Sequence, residues 1–237
     1  MLFSTEGKMK IPQRVLVVAA HPDDEILGCG GTLARLRETG AEITILLLGE
    51  GPTSRETDDM TEQMVRTETH ASARNAAATL GIRDVRFEDL PDNRFDTVPL
   101  LRIIQSVEAV GQDVRPDLVL THFAGDLNID HQLTHRAVMT VFRPLPGARS
   151  VQILGFEVLS STEYTPLGMG INFHPNVYID IVSFLEPKQK ALTAYVTEMR
   201  PWPHPRSHEA VEHLARLRGS QCGREAAEGF VIYRCII

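Results

Sequence analysis

The stretch Val15-Leu-Val-Val-Ala-Ala-His-Pro-Asp-Asp-Glu25 decides the fold of this chain. Its valine-rich first half predicts a strand that is buried on both faces of a sheet. Pro22 has no N–H to donate to a neighbouring strand, so the strand should end before it. One histidine and three carboxylates follow within five positions. In open α/β sheets the carboxyl ends of the strands are where ligands gather, so we expect a functional site here.

Helix capping is the structural alternative for these acids. Residues 26–40 have a helix-like pattern that ends near Gly40. Aspartates at the start of a helix accept free backbone N–H groups and suit the positive end of the helix dipole. Capping explains one aspartate readily, but it does not explain a histidine together with three acids.

Strand-like and helix-like segments alternate along the rest of the chain. Strands are predicted at 42–48, 84–90, 117–122, 151–159, 177–181 and 230–236, and helices at 61–80, 100–110, 131–142, 183–199 and 208–218. This alternation predicts a single α/β domain with a Rossmann-like, mostly parallel sheet and helices on both faces. We interpret residues 1–13 as a polar lead-in and residues 14–237 as the domain.

The composition indicates an ordinary globular protein of 237 residues, with 43% hydrophobic and 23% charged residues. A net charge of -7 argues against nucleic acid or an anionic membrane as the main partner. The absence of a long apolar run and of a signal-peptide layout predicts no membrane insertion. Cys29, Cys222 and Cys235 are too scattered for a disulfide framework or a cysteine-based zinc site, which favours thiols in a cytoplasmic protein.

A second group of polar residues follows the predicted strand 117–122. Its members are His122, Asp126, Asn128, Asp130 and His131. If this strand is parallel to the first, the group lies at the same sheet edge as His21. The structural alternative is a helix capped by Asp130 with histidines facing solvent.

His21, Asp24 and His131 together form a three-ligand set that suits a divalent ion. Catalytic zinc commonly has three protein ligands and an open position for water. Asp23 would remain outside this set and accept a proton from metal-bound water, whose pKa zinc lowers to about 7. The same trio suits a non-haem iron oxygenase, but those enzymes place it in a β-sandwich. We therefore expect one zinc ion per chain and hydrolysis, with another divalent ion as the alternative.

Three short motifs carry a resemblance to a known family: Ala20-His-Pro-Asp-Asp-Glu25 before a glycine-bearing helix, Asn128-Ile-Asp-His131, and the run 218–230. The first resembles the signature of the PIG-L (LmbE-like) deacetylases. The second resembles their His-Pro-Asp-His motif, and the third their Arg-Gly…Gly…Ala-Glu-x-Phe ending. The resemblance covers residues 14–230. It implies a zinc-dependent enzyme that removes acetyl groups from N-acetylglucosamine-type sugars and related amides.

Carried over position by position, the resemblance implies His21, Asp24 and His131 as zinc ligands. It implies Asp23 as the general base. It also implies that Asp130 supports the site from outside the ligand set, as orienting carboxylates do for metal-bound histidines.

The resemblance further implies a small-molecule partner, an N-acetylated amino sugar or sugar conjugate. Asp92 matches a family position that touches substrate, and Arg66 and Arg94 are further candidates for substrate binding. The sequence leaves the oligomeric state open, a homo-oligomer included.

The chain departs from the family at Asn128, where the family has a histidine that stabilises the oxyanion or protonates the leaving amine. Asparagine can donate a hydrogen bond to an oxyanion, but it cannot act as an acid. Either Asp23 makes both proton transfers, or another group such as His204 or His122 supplies the acid, and His204 is the candidate for the group that protonates the amine. Prolines on both sides of His204 would hold it in one place, although a surface histidine in a stiff loop is the alternative. Glu25 either pins the helix start or is a second candidate for the base.

Two other functional classes remain open. A nucleotide-binding module is suggested only by Gly28-Cys-Gly-Gly31. These glycines follow the strand-to-helix turn instead of forming it, and aspartates in the turn would repel a pyrophosphate. A metal-binding protein that has lost catalysis is suggested by Asn128. Acetate as a product separates this last class from the enzyme.

Overall fold

A computed structural model describes residues 12–51, 59–168 and 170–236. The strands are β1 (Arg14–Ala19), β2 (Glu42–Gly49), β3 (Asp84–Leu90), β4 (Leu118–His122), β5 (Gln152–Phe156), β6 (Val177–Asp180) and β7 (Ala227–Arg234). The helices are α1 (Asp24–Glu38), α2 (Asp59–Thr79), α3 (Leu100–Val114), α4 (Ile129–Val141), α5 (Leu185–Leu192) and α6 (His208–Cys222). The predicted α/β class is confirmed. Residues 1–11 of the predicted lead-in lie outside the described residues.

The strands form one seven-stranded sheet in the order β3-β2-β1-β4-β5-β7-β6. The first five strands of the chain are parallel, and β7 pairs antiparallel with both β5 and β6. The chain begins in the middle with β1, runs outward through β2 and β3, and then crosses to β4 on the other side of β1. In open α/β sheets such a reversal forms the crevice in which ligands bind, here at the carboxyl ends of β1 and β4. Both polar groups predicted from the sequence follow these two strands.

Strand β1 is buried on both faces, as its apolar run predicts. Val15, Val17 and Ala19 pack in a core with α1, α2 and α5. Leu16, Val18 and Ala20 pack in a second core with α3 and α4. Because successive side chains of a strand point to opposite faces, two helical layers require an uninterrupted apolar strand between them. Among the described residues, no helix is both long and apolar enough to cross a membrane.

The last third of the chain departs from the predicted boundaries. The helix predicted over 183–199 is α-helical only over Leu185–Leu192. The chain then turns, and Tyr195 is buried with its hydroxyl donating to the Glu25 carboxylate at 2.5 Å. Tyr195 and Glu25 are remote in the sequence, so the amphipathic pattern of the segment does not predict their contact. The strands predicted at 151–159 and 230–236 are Gln152–Phe156 and Ala227–Arg234.

Helix α1 is interrupted at Cys29, whose φ of -144° and ψ of 16° are non-helical. Glu228 of β7 accepts hydrogen bonds from the backbone N–H groups of residues 31–32, at 2.9 and 2.7 Å. Lys188 of α5 donates to the Leu27 carbonyl at 2.8 Å and to the Glu228 carboxylate at 2.6 Å. The buried ion pair of Lys188 and Glu228 therefore provides hydrogen-bond partners for the backbone groups on both sides of the interruption.

The glycine run 28–31 is explained by close packing. A Cβ atom on Gly28 would lie 2.3 Å from the ring of Phe156, and one on Gly31 would lie 2.8 Å from Ile181. Both distances are shorter than real Cβ contacts, so larger residues would displace these neighbours. The glycines were the one observation behind a nucleotide-binding module, and packing accounts for them instead.

Candidate functional site

The structure brings His21, Asp24 and His131 together, with their potential ligand atoms within 4.8 Å of one another. His21 follows β1, Asp24 begins α1, and His131 lies in the first turn of α4. The Asp24 Oδ2 atom is 3.3 Å from His21 Nδ1 and 3.2 Å from His131 Nε2. We call these three residues the metal trio, because such a group could hold a metal ion.

A second carboxylate holds each histidine of the metal trio. His21 Nε2 lies 3.0 Å from Asp130 Oδ2, and His131 Nδ1 lies 3.1 Å from Asp126 Oδ1. One nitrogen of each ring is therefore occupied, and the other faces Asp24. Carboxylates placed in this way fix the tautomer and orientation of metal-binding histidines.

Among the described residues, Asp24 Oδ1 is buried without a hydrogen-bond partner, and His131 Nε2 is buried with a close contact to Asp24 Oδ2 that lacks the geometry of a hydrogen bond. Buried polar atoms normally have partners, because leaving them unpaired costs free energy. A divalent cation accepts an electron pair from both types of atom. The residues present therefore fit a metal ion.

Electrostatics at the metal trio follow from this proximity. Burial opposes the charge of Asp24, but His131 and His21 outweigh it and hold the pKa of Asp24 well below its ordinary value. Burial also opposes charge on the two histidines. The neighbouring carboxylates outweigh that effect and raise the pKa of His21 to about 10 and that of His131 to about 9. Without a metal ion, both rings therefore carry protons at neutral pH.

Asp23, the N-cap residue of α1, has an environment opposite to that of its neighbour Asp24. It is buried, and its backbone φ is 115°. Its Oδ2 atom accepts a 2.6 Å hydrogen bond from Arg206, while Oδ1 is buried without a partner among the described residues. Burial raises the pKa of Asp23 well above its ordinary value, and the Arg206 guanidinium opposes that rise only in part.

The two histidines considered as alternative acids lie in different surroundings. The His204 imidazole is exposed, and its Nδ1 accepts from the backbone N–H of Arg206 at 3.0 Å. His122 is buried, its Nε2 accepts from the Ala20 N–H at 2.8 Å, and its ring stacks on His131. Burial and the neighbouring His131 lower the pKa of His122 well below its ordinary value, so it is neutral.

Asn128, and not Asp130 as the capping alternative predicts, is the N-cap of α4. Its Oδ1 accepts from the Asp130 N–H at 2.8 Å. Its Nδ2 donates to Asn93 at 3.1 Å, and Asn93 donates to Asp92 at 3.0 Å. Asp92 is buried with Oδ1 3.4 Å from His21 Nε2. A chain of polar contacts therefore runs from Asn128 to the metal trio.

The predicted substrate-binding arginines lie further out at the same edge of the sheet. Arg66 of α2 forms an ion pair with Glu50, which follows β2. Arg94 is exposed in the loop after β3, and the next residue, Phe95, donates its N–H to Asp130 at 2.9 Å.

Comparison with known proteins identifies the family. A family model described as PIG-L, GlcNAc-PI de-N-acetylase, matches residues 16–142, more than half of the chain. The chain belongs to the PIG-L family. The match runs from β1 to the end of α4, so it contains every member of the metal trio, and the predicted resemblance is confirmed.

Individual relatives of this PIG-L protein extend the match. An Escherichia coli protein named uncharacterized deacetylase YaiS is 31% identical over 165 residues, which are 68% of this chain and 80% of the relative. The diacetylchitobiose deacetylase of Thermococcus kodakarensis is 24% identical over 226 residues, 92% of this chain and 82% of the relative.

Solved structures share the fold. The N,N'-diacetylchitobiose deacetylase of Pyrococcus horikoshii superposes with a TM-score of 0.76 at 20% identity, over 93% of this chain and 84% of that one. The 4-carboxy-2-hydroxymuconate hydratase of Pseudomonas putida superposes with a TM-score of 0.75 at 23% identity, over 94% and 98%. A shared fold therefore does not decide the reaction, and the site must do so.

Two sets of contacts in this PIG-L site, those of Asp126 and of Arg206, escape sequence reasoning. Asp126 lies in the polar run after β4, but its contact with His131 and the hydrogen bonds it accepts from Ser161 and Thr162 have no local signal. Arg206 lies two residues after His204 in the proline-rich loop, where a search for acids favours the histidine. Only the tertiary structure shows that the arginine reaches Asp23.

Proposed function

We propose that this PIG-L protein is a zinc-dependent hydrolase that removes an N-acetyl, or similar N-acyl, group from an amino sugar or sugar conjugate. The observation that carries the proposal is the metal trio at the crevice between β1 and β4, with each histidine held by a second carboxylate. Relatives named as deacetylases of N-acetylated sugars support the same reaction. A bound zinc ion supplies an activated water and polarises the amide carbonyl.

Asp23 is the general base in this proposal. Its Oδ1 atom is buried and has no partner in the described part of the chain, so it is available to accept a proton from water. Burial makes the carboxylate a stronger base than an exposed aspartate, because the charged form is less well solvated. Arg206 holds the other oxygen and so fixes the orientation of the carboxylate.

The same aspartate returns the proton to the leaving amine. The His122 Nε2 atom already accepts the Ala20 N–H and the His204 Nδ1 atom accepts the Arg206 N–H, whereas Asp23 holds the proton that it has taken from water. Because its pKa is raised, Asp23 holds the proton after the first transfer. It then releases the proton to the leaving amine, which is more basic. One carboxyl group therefore serves as both base and acid.

The Asn128 Nδ2 atom donates a hydrogen bond to the substrate oxygen on which negative charge develops. To do so, it gives up its present hydrogen bond to the exposed Asn93. In this proposal Asp92, whose Oδ1 lies 3.4 Å from His21 Nε2, binds sugar hydroxyls together with Arg66 and Arg94.

Acetate release from a panel of N-acetylated sugars and sugar conjugates tests the proposal. The purified protein is stripped with a chelator, and half is reloaded with zinc. Acetate should form with the zinc-loaded wild type and not with the stripped protein, and it should form about 10²–10⁴-fold more slowly with Asp23→Asn. A zinc-loaded protein that releases no acetate from any member of the panel would instead support the metal-binding class without catalysis that Asn128 suggests.

A further inference from the structure

We infer that Glu25, braced by Tyr195, is a positioning residue that holds Asp23 in the backbone conformation its proposed role as base requires. The inference rests on the proposed function for its kinetic consequences, but its structural part does not. It gives a role to Glu25, the third acid of the motif, which is neither a member of the metal trio nor the proposed base.

Asp23 has a backbone conformation that needs support. With φ at 115° and ψ at -31°, it lies where residues with a side chain are rare and persist only when their surroundings hold them. The conformation lets the chain turn from β1 into α1 within a few residues. In this conformation the Asp23 carboxylate accepts a hydrogen bond from Arg206.

Glu25 supplies support to the backbone of Asp23. Its Oε2 atom accepts the Asp23 N–H at 3.0 Å, and its Oε1 atom accepts the Tyr195 hydroxyl at 2.5 Å. Glu25 is 0% exposed, and Asp23 and Tyr195 are each 1% exposed. Each carboxylate oxygen therefore has a donor of its own, and water does not compete for either bond.

Ordinary helix capping does not require this arrangement. A capping glutamate near a helix start needs only the backbone N–H, and it is usually solvated on its other side. Here the second oxygen is held by a tyrosine 170 positions away in the chain, in the turn that follows α5. The bond fixes the glutamate from outside the helix, so its position is set by the packing of α5 against α1.

Two substitutions separate positioning from proton transfer. In Glu25→Gln the amide oxygen accepts the Asp23 N–H, and the amide N–H₂ donates to the Tyr195 oxygen after its hydroxyl rotates. The brace survives, although glutamine cannot transfer a proton. In Glu25→Ala the Asp23 N–H loses its acceptor. Tyr195→Phe removes only the outer bond and should have an effect between the two.

The experiment measures kcat, KM and zinc content for these three variants on the substrate that the wild type hydrolyses. Glu25→Ala should lower kcat about 10²-fold, the scale for misplacing a catalytic group by about 1 Å, with KM and zinc content unchanged. Glu25→Gln should keep most of the wild-type kcat. Glu228→Gln is the matched control, since it alters another buried glutamate that accepts backbone N–H groups of α1, and kcat per folded protein should not change.

A double variant tests whether Glu25 acts through Asp23. In the Asp23→Asn background, Glu25→Ala should cause no further loss, because the base that it positions is already absent. A Glu25→Gln variant as impaired as Glu25→Ala, or a full additional loss in the double variant, overturns the inference and makes Glu25 a participant in proton transfer. If Glu25→Ala does not fold, an unchanged kcat in Tyr195→Phe overturns the inference that Tyr195 braces Glu25.

A crystal structure of Glu25→Ala keeps the inference testable even if the wild type releases no acetate. The Asp23 φ should leave the positive region, and its carboxylate should separate from Arg206. An Asp23 that stays near φ 115° without Glu25 overturns the inference, whatever reaction the protein catalyses.

Discussion

Asp23 and Asp24 are adjacent, equally buried residues of one type, yet their surroundings move their pKa values in opposite directions. Asp24 lies against His21 and His131, which favour its charged form. Asp23 lies beside other carboxylates, and burial prevails over the Arg206 guanidinium that it contacts. In hydrolases, acid and base roles are assigned from pairs of acids whose surroundings move their pKa values apart.

The first prediction at the scale of the residue concerns Asp23. Asp23→Asn should bind zinc as the wild type does, because the substitution removes no member of the metal trio. Turnover should fall by about 10²–10⁴-fold, since the proton acceptor is lost. Metal analysis and acetate release on the same preparation check both parts. Near-normal turnover would place the base elsewhere.

The second prediction separates the two contacts of Asn128. Asn128→Ala should lower kcat about 10²–10³-fold, the scale for one oxyanion donor. It should also lower the free energy of unfolding by about 1 kcal/mol, because the cap of α4 is lost. Asn128→Asp keeps the capping oxygen without the N–H₂ donor, so it should retain stability but lose turnover. The pH–rate profile of Asn128→Ala should keep its wild-type limbs, since asparagine does not titrate, and a shifted limb would contradict the assignment.

At the scale of the element, α1 connects the metal trio to the end of the chain. Its first residue is Asp24, and its interruption at Cys29 is bridged by Lys188 from α5 and Glu228 from β7. The helix therefore depends on two elements that are remote in sequence. The run 218–230, which resembles the ending of the family's sequences, contains Glu228, and the structure gives that residue a physical task.

Removing one partner of this buried pair should be costly. Lys188→Met keeps the length of the side chain but leaves the Glu228 charge uncompensated and the Leu27 carbonyl without its donor. The free energy of unfolding, measured in urea, should fall by about 3–5 kcal/mol. Glu212→Gln, which breaks the exposed pair with Arg216 on α6, should cost about 0–1 kcal/mol. Equal losses in the two variants would show that the Lys188 contacts are not stabilising.

At the scale of the whole molecule, the metal trio joins both sides of the sheet's reversal, since His21 and Asp24 follow β1 and His131 follows β4. A bound zinc ion should therefore stabilise the fold, by about 2.7 kcal/mol when free zinc is 100 times its Kd. Because the pKa values of His21 and His131 are raised to about 10 and about 9, zinc must displace protons at neutral pH. Calorimetry in buffers of different ionisation enthalpy should show more than one proton released for each zinc ion, and no release would contradict the ligand set.

The same shifts predict opposite pH dependences for the two forms. A histidine whose pKa is higher in the folded state stabilises the protein fully below its ordinary value of 6.5, and this contribution is lost as the pH rises through about 9 to 10. The metal-free protein should lose this contribution across that range, whereas stabilisation by zinc should grow. Thermal unfolding with chelator and with zinc measures both trends, and His131→Gln should weaken each of them.

Much of the fold could be predicted from the sequence, because burial on two faces leaves an uninterrupted apolar strand and burial on one face leaves a helical period. The chemistry-bearing residues directly after β1 and β4 could be predicted for a related reason. A parallel sheet brings the carboxyl ends of its strands to one edge, so short local segments suffice to place His21, Asp24 and His131 together. The class, the site segments and the metal trio therefore follow from neighbours in the sequence.

Only the tertiary structure decided which distant residues complete the site. Arg206 reaches Asp23 across 183 positions, and Tyr195 reaches Glu25 across 170. Such contacts depend on how α5 and the proline-rich loop pack against α1, and no periodicity or spacing encodes that packing. The same packing leaves His204 exposed two residues from Arg206. Local patterns arise from the backbone and from burial, whereas the partners of a buried charge are set by whichever remote element comes to lie beside it.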